Sequence, residues 1–165
     1  MIEITDISTF TSPKPTVVTI GTFDGVHLGH QKIINKVVES ARRENLLATI
    51  FTFFPHPRMI VQHDNSLKLI HTLSEKKEAL KALGVDLLIV QPFNEEFANL
   101  TAEDFVHKLL VERLNAKKVI IGYDHRFGKG RTADIKDMER FGKQYGFAVE
   151  EIPVEEFNEV SVSST

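Results

Sequence analysis

The sequence predicts an α/β fold: a three-layer, doubly wound parallel sheet. Three observations carry this. Short apolar runs rich in Val, Ile and Phe alternate along the chain with segments whose apolar residues recur at helical spacing. The runs are apolar at successive positions, as strands buried between two layers of helices must be. Two of them stop at glycine, Gly21 and Gly122, and in such sheets ligands bind beyond the carboxyl ends of the strands, at the switch in strand order.

Pro13 and Pro15 mark an irregular lead-in to a first strand, Thr16 to Phe23. The helix after it runs to about Glu44, with Ile33, Ile34, Val37, Val38 and Ala41 as its apolar stripe. A second strand, Ala48 to Phe53, is stopped by Phe54-Pro55-His56-Pro57. Arg58 to Ile70 reads as a loop, and its length points to function or mobility. Thr72 with Glu75 forms a capping-box pair opening a helix that ends at Gly84. Strand three is Val85 to Val90. Thr101 with Asp104 opens the next helix, through Phe105, Leu109 and Leu110. Strand four, Val119 to Ile121, ends at Gly122. The last helix carries Ile135, Met138, Phe141 and Tyr145, stops at Gly146 and leads to strand five, Phe147 to Ile152. If strands one and four flank the switch point, Gly21 and Gly122 face one crevice.

Composition narrows the classes. A chain of 165 residues, 42% hydrophobic and 26% charged, suits one globular domain with a substantial core. A net charge of −3 offers no general polyanion-binding surface and argues against a nucleic-acid partner. The absence of cysteine fits a cytosolic protein. MIEITDIS lacks the basic region and apolar core of a signal peptide, and no apolar run approaches membrane-spanning length. The expectation is a cytoplasmic single domain over residues 1–165, with no membrane and no obligate protein partner.

The densest chemistry lies in TIGTFDGVHLGHQKII, Thr19 to Ile34. His27 and His30 are three apart and share one face of a helical turn. That turn also presents unpaired backbone N–H groups and the positive end of the helix dipole, an anion site. Two histidines and a glycine-relieved backbone there point to a phosphate chain. No third ligand stands at a recognisable zinc spacing, and no GxxxxGK[ST] occurs. A histidine on a helix is more often a surface or core residue, so the pairing and its place carry the inference.

Two further segments stand out. In IGYDHRFGKGR, Gly122, Gly128 and Gly130 let backbone approach a ligand, while Arg126, Lys129 and Arg131 bring positive charge. Asp124 is a carboxylate suited to a cation or a hydroxyl, and Arg126 could equally pair with it to order the turn. A basic surface turn is the plainer reading of the same residues. In TFFPHPR, Phe51 and Phe53 share one strand face and read as core, whereas Phe54 is as suited to a planar ligand as to the core. His56, between two prolines, is expected to be exposed.

GTFDGVHLGH resembles the HxGH signature of the nucleotidyltransferase superfamily. Together with FFPHP, LTAEDFV (Leu100 to Val106), GYDHRFGKGR and the closing VSST (Val162 to Thr165), it resembles the N-terminal adenylyltransferase module of bacterial FAD synthetases, the bifunctional riboflavin kinase/FMN adenylyltransferases. The likeness covers essentially the whole chain. The first motif is widely shared, and its combination with FFPHP and GYDHRFG is far more specific.

The resemblance implies a Rossmann-like nucleotidyltransferase fold and a reaction joining FMN and MgATP to give FAD and pyrophosphate. It implies that His27 and His30 are the catalytic pair, binding the ATP phosphates. Gly21, Thr22, Phe23, Asp24, Gly29, Gly122, Asp124, Arg126, Gly128 and Arg131 would form the nucleotide side, with Asp24 suited as well to a turn or cap. Phe54, Pro55 and His56 would line the flavin side, joined by Ser163, Ser164 and Thr165 from the start of an SSTxIR signature. Magnesium would be held mainly by phosphates, with Asp124 as a protein contact.

The chain departs from the family's pattern in places. The arginine of SSTxIR and the riboflavin-kinase module do not occur in it. Ala133 stands where glycine is common and His125 where phenylalanine is common. The expectation is a chain that binds ATP and turns over poorly. Two other readings share some of these features: a cytidylyltransferase acting on a phospho-alcohol, which would lack FFPHP and GYDHRFG, and a flavin- or nucleotide-binding module without turnover.

Overall fold

The computed structural model describes residues 1–21, 28–54, 77–92, 94–122, 126–129 and 132–152, and for residues 28–31 and Phe54 the backbone alone. The strands are β1 (Ile2–Ile4), β2 (Thr16–Ile20), β3 (Leu47–Phe54), β4 (Leu87–Pro92), β5 (Ala116–Gly122) and β6 (Ala148–Ile152). They form one sheet in the order β1-β4-β3-β2-β5-β6. Every pairing in it is parallel. The helices are α1 (Leu28–Glu44), α2 (77–83), α3 (Glu95–Ala98), α4 (Ala102–Asp104, continuing as the π-helical Phe105–Arg113) and α5 (Ile135–Tyr145).

Strand alternation explains the layering. In β2, Val17 packs with Ile33, Val37 and Ala41 of α1, while its neighbour Val18 packs with Val106, Leu110 and Met138 of α4 and α5. In β3, Ile50 meets Ile34 and Leu80 of α1 and α2, and Phe51 faces Phe105 on the opposite side. Helices therefore cover both faces, and the sheet is the centre of a three-layer α/β/α structure.

The predicted connections hold at several ends. Asn45 takes a left-handed conformation (φ 57°) after α1, and Leu46 N–H closes it onto the Ala41 carbonyl at 2.8 Å. Gly146 (φ 86°) closes α5 in the same way, a conformation in which a Cβ is strained. Thr101 caps α4, its hydroxyl accepting from Asp104 N–H at 3.1 Å. The Thr72–Glu75 pair and the 58–70 loop lie outside the described residues.

Among the described residues the sheet has six strands, one more than expected. β1 is a three-residue edge strand, too short to show a period in sequence, and Ile7–Thr9 forms a short 3-10 turn after it. β4 starts at Leu87, two residues later than expected. Val85 N–H still serves the end of α2 by bonding the Leu80 carbonyl at 3.2 Å. β5 starts three residues earlier than expected, because Lys117 and Lys118 belong to it. Lys118 keeps its charge satisfied between α1 and β6, 3.1 Å from Ser40 Oγ and 3.3 Å from a Glu150 oxygen.

Candidate functional site

The strand order places the switch point. β2 lies between β3 and β5, so the chain winds one way from β2 through β3 to β4 and the other way through β5 to β6. These are the two strands whose glycine ends the sequence singled out. Gly21 follows β2 and Gly122 ends β5, at the same end of adjacent parallel strands. Gly21 N–H continues the ladder by donating to the Phe51 carbonyl at 3.0 Å.

At this end α1 begins at Leu28, which puts Gly29 and His30 in its first turn. The backbone N–H groups of that turn have no partner four residues earlier within the helix, the general basis of an anion site. His27, Thr22, Phe23 and Asp24 lie outside the described residues. Phe54 ends β3 beside Pro92 of β4, while Pro55, His56, Ser163, Ser164 and Thr165 lie outside them.

Beneath the β3 end sits a group of aromatic rings. Phe51, fully buried, meets Phe53 at 5.6 Å, Phe97 at 6.3 Å and Phe105 at 5.5 Å between ring centroids. Phe53 and Phe97 lie 5.2 Å apart. Phe51 and Phe53 are thus packing residues, as alternation along the strand requires. Gln91, near the end of β4 and buried, accepts from Ile7 N–H at 2.9 Å and ties the N-terminal 3-10 turn to the sheet.

The loop after β5 is anchored at its base. Phe127 and Ala133 form an antiparallel bridge with both hydrogen bonds made, at 3.1 and 3.2 Å, and both residues are buried. One step outward, Arg126 Nη1 lies 3.7 Å from a carboxylate oxygen of Asp134. Asp134 also caps α5, accepting from Lys136 and Asp137 N–H, while Asp137 accepts from Asp134 N–H in a reciprocal box. The backbone N–H of Asp137, outweighing desolvation and helped by Lys136 N–H and the Arg126 charge, holds the Asp134 carboxyl below its ordinary value. Arg126 is therefore matched with Asp134 across the loop. The alternative partner, Asp124, lies outside the described residues, as do Gly130 and Arg131.

Gly128 has a positive φ of 78° and is pressed against α4. Its lack of a side chain serves that contact. The pattern Asp134-x-x-Asp137 ahead of an apolar helix is a capping signal legible in the sequence. Nothing in the sequence points to Gln91 as the partner of Ile7, and Ala102 is marked only as part of the LTAEDFV segment. Among the described residues no group of three His, Cys, Asp or Glu side chains gathers to hold a metal. Asp134 is committed to its caps and to Arg126 and is unsuited to a cation. Among the described residues, no helix is long and apolar enough to cross a membrane.

A parallel sheet wound both ways from β2, with helices on both faces, defines a doubly wound α/β protein. The chain belongs to the FAD synthetase family, whose model matches residues 9–165. It is 37% identical over 151 residues to a bifunctional riboflavin kinase/FMN adenylyltransferase of Buchnera aphidicola, covering 91% of this chain and 48% of that protein. It is 37% identical to an FAD synthetase of Listeria monocytogenes, covering 92% of this chain and 61% of that one. A crystal structure described as a macrolide-efflux protein from Streptococcus pneumoniae superposes with a TM-score of 0.76 at 29% identity, over 92% of this chain and 49% of that chain. The chain thus spans about half the length of the Buchnera relative and of the solved structure.

Proposed function

We propose that this chain, as one domain, transfers AMP from MgATP to the phosphate of FMN, giving FAD and pyrophosphate. The observation that carries the reading is the family match over residues 9–165, which includes the Gly21, Gly29 and Gly122 positions at the switch point. An FMN phosphate oxygen attacks the α-phosphorus of ATP. A new P–O–P linkage forms, the bond to the bridging α–β oxygen breaks, and its electron pair leaves with pyrophosphate. No protein nucleophile is needed, so catalysis is alignment and charge stabilisation.

In this reading His27 and His30, with the N–H groups of the first turn of α1, bind the phosphate chain and offset the charge growing on the departing pyrophosphate. The polyphosphate favours the charged form of both imidazoles. Gly21 to Asp24 and the 122–131 loop hold the nucleotide. Phe54, Pro55, His56 and Ser163 to Thr165 hold the FMN side. Magnesium enters as part of the substrate MgATP, neutralising phosphate charge, with Asp124 the chain's own candidate contact. The substrates are small molecules and the compartment is cytoplasmic, in keeping with the cysteine-free sequence. The riboflavin kinase activity named in the relatives is not assigned to this chain.

The test is incubation of the chain with FMN and MgATP, with FAD and pyrophosphate quantified separately. Equal amounts of the two products are expected. Binding of MgATP and FMN without either product would instead favour a module without turnover. Pyrophosphate released with CTP and a phospho-alcohol, and none with FMN and ATP, would favour a cytidylyltransferase.

A further inference from the structure

The LTAEDFV segment supplies none of the residues assigned to the nucleotide or flavin side, yet two loop residues lean on it. We propose that the first turn of α4 is the seat that positions the loop after β5, with Ala102 and Phe105 as positioning residues; the consequence for nucleotide binding rests on the reading above in which that loop holds the nucleotide. Ala102 and Phe105 are three apart and share one face of the turn. Consecutive loop residues occupy consecutive places on it. Phe127 packs on Phe105 with ring centroids 6.2 Å apart, and Gly128 lies on Ala102. A Cβ built at Gly128 would fall 2.8 Å from Ala102 Cβ and 2.9 Å from its Cα and N, so the two backbones touch with no room between them.

The seat itself is fixed from below and from its start. Phe105 stacks edge-on against Phe51 in the centre of the sheet. Thr101 holds the turn through its hydroxyl to Asp104 N–H and its carbonyl to Phe105 N–H, at 3.1 and 2.9 Å. The Phe127–Ala133 bridge then passes that position to both arms of the loop. Gly128 is accordingly a docking glycine, since a side chain there would meet Ala102, and branching the Ala102 side chain is expected to crowd the same contact.

The loop carries three trypsin sites, Arg126, Lys129 and Arg131, which makes docking measurable without turnover. The 165-residue chain would be compared with Ala102→Gly, Ala102→Ser and Ala102→Val for cleavage rate at these sites, melting temperature and MgATP affinity by calorimetry. Ala102→Val is expected to speed cleavage about tenfold and to weaken MgATP about tenfold, with its melting temperature near that of the parent. Ala102→Gly, which adds no atom, should stay within about twofold of the parent on both readouts. Cleavage of Ala102→Val at the parent's rate would overturn the proposal. Should Ala102→Val fail to fold, Ala102→Ser carries the test, and unchanged cleavage there overturns it equally. Faster cleavage combined with no MgATP binding by the parent would keep the seat and remove the nucleotide reading instead.

Discussion

Arg42, in the last turn of α1, grips Asp86 through both terminal nitrogens, at 2.9 and 3.2 Å, and gives its remaining reach to the Gly84 carbonyl at 2.8 Å. Asp86 also accepts from Ala48 N–H at 2.9 Å, so one carboxylate ties α1 to the amino ends of β3 and β4. Desolvation pushes its pKa up, but the Arg42 hydrogen bonds, the Ala48 N–H and the Arg42 charge together bring it below the ordinary carboxylate value.

Asp86→Ala should therefore destabilise the chain by about 2 kcal/mol at neutral pH, or roughly 4–8 °C in Tm. Because the folded-state pKa is depressed, the contribution is present above the unfolded value near 4 and is lost as pH falls through the folded value. Thermal melts of parent and variant should differ at pH 7 and converge in acid. An equal gap at pH 7 and pH 3 would contradict the assignment. The cluster lies at the strand ends opposite the site, so FAD production below the melting temperature should be unaffected.

Phe51→Ala should cost about 3–5 kcal/mol, because the ring is fully buried between sheet and helix and touches three other rings. A Phe51/Phe97 double-mutant cycle should yield coupling of about 0.5–1.5 kcal/mol. Additive losses in urea denaturation would show that the two rings act independently.

Gly146→Ala isolates a backbone effect. Apart from its own chain neighbours, nothing lies within 4 Å of the added methyl group, so a loss of about 1 kcal/mol would come from the left-handed φ of 86°. Denaturant midpoints with an unchanged slope would measure it, and unaltered stability would remove this account of how α5 ends.

His27→Ala and His30→Ala should each lower kcat for FAD formation about a hundredfold or more, with the KM for FMN little changed. The loss would reflect charge stabilisation made only in the transition state. Full turnover in both variants would exclude the phosphate-binding role given to this pair.

The sequence alone determined the parallel, two-faced sheet, the helix faces and the glycines Gly21 and Gly122 at strand ends, because each is written in local periodicity and in residues with special backbone freedom. The first strand, expected to reach Phe23, ends at Ile20. It also displayed the HxGH, FFPHP and GYDHRFG segments from which the family is legible. Short or polar-edged elements escaped it: Ile2–Ile4 is shorter than two strand periods, and Lys117 and Lys118 disguised the start of β5. Only the tertiary structure decided partners. That Gln91 holds Ile7 and that Gly128 rests on Ala102 depend on distant chain segments brought together by the fold, and that Arg126 meets Asp134 depends on the Phe127–Ala133 bridge. A residue's type limits which bonds it can form, and the fold chooses which groups come within reach.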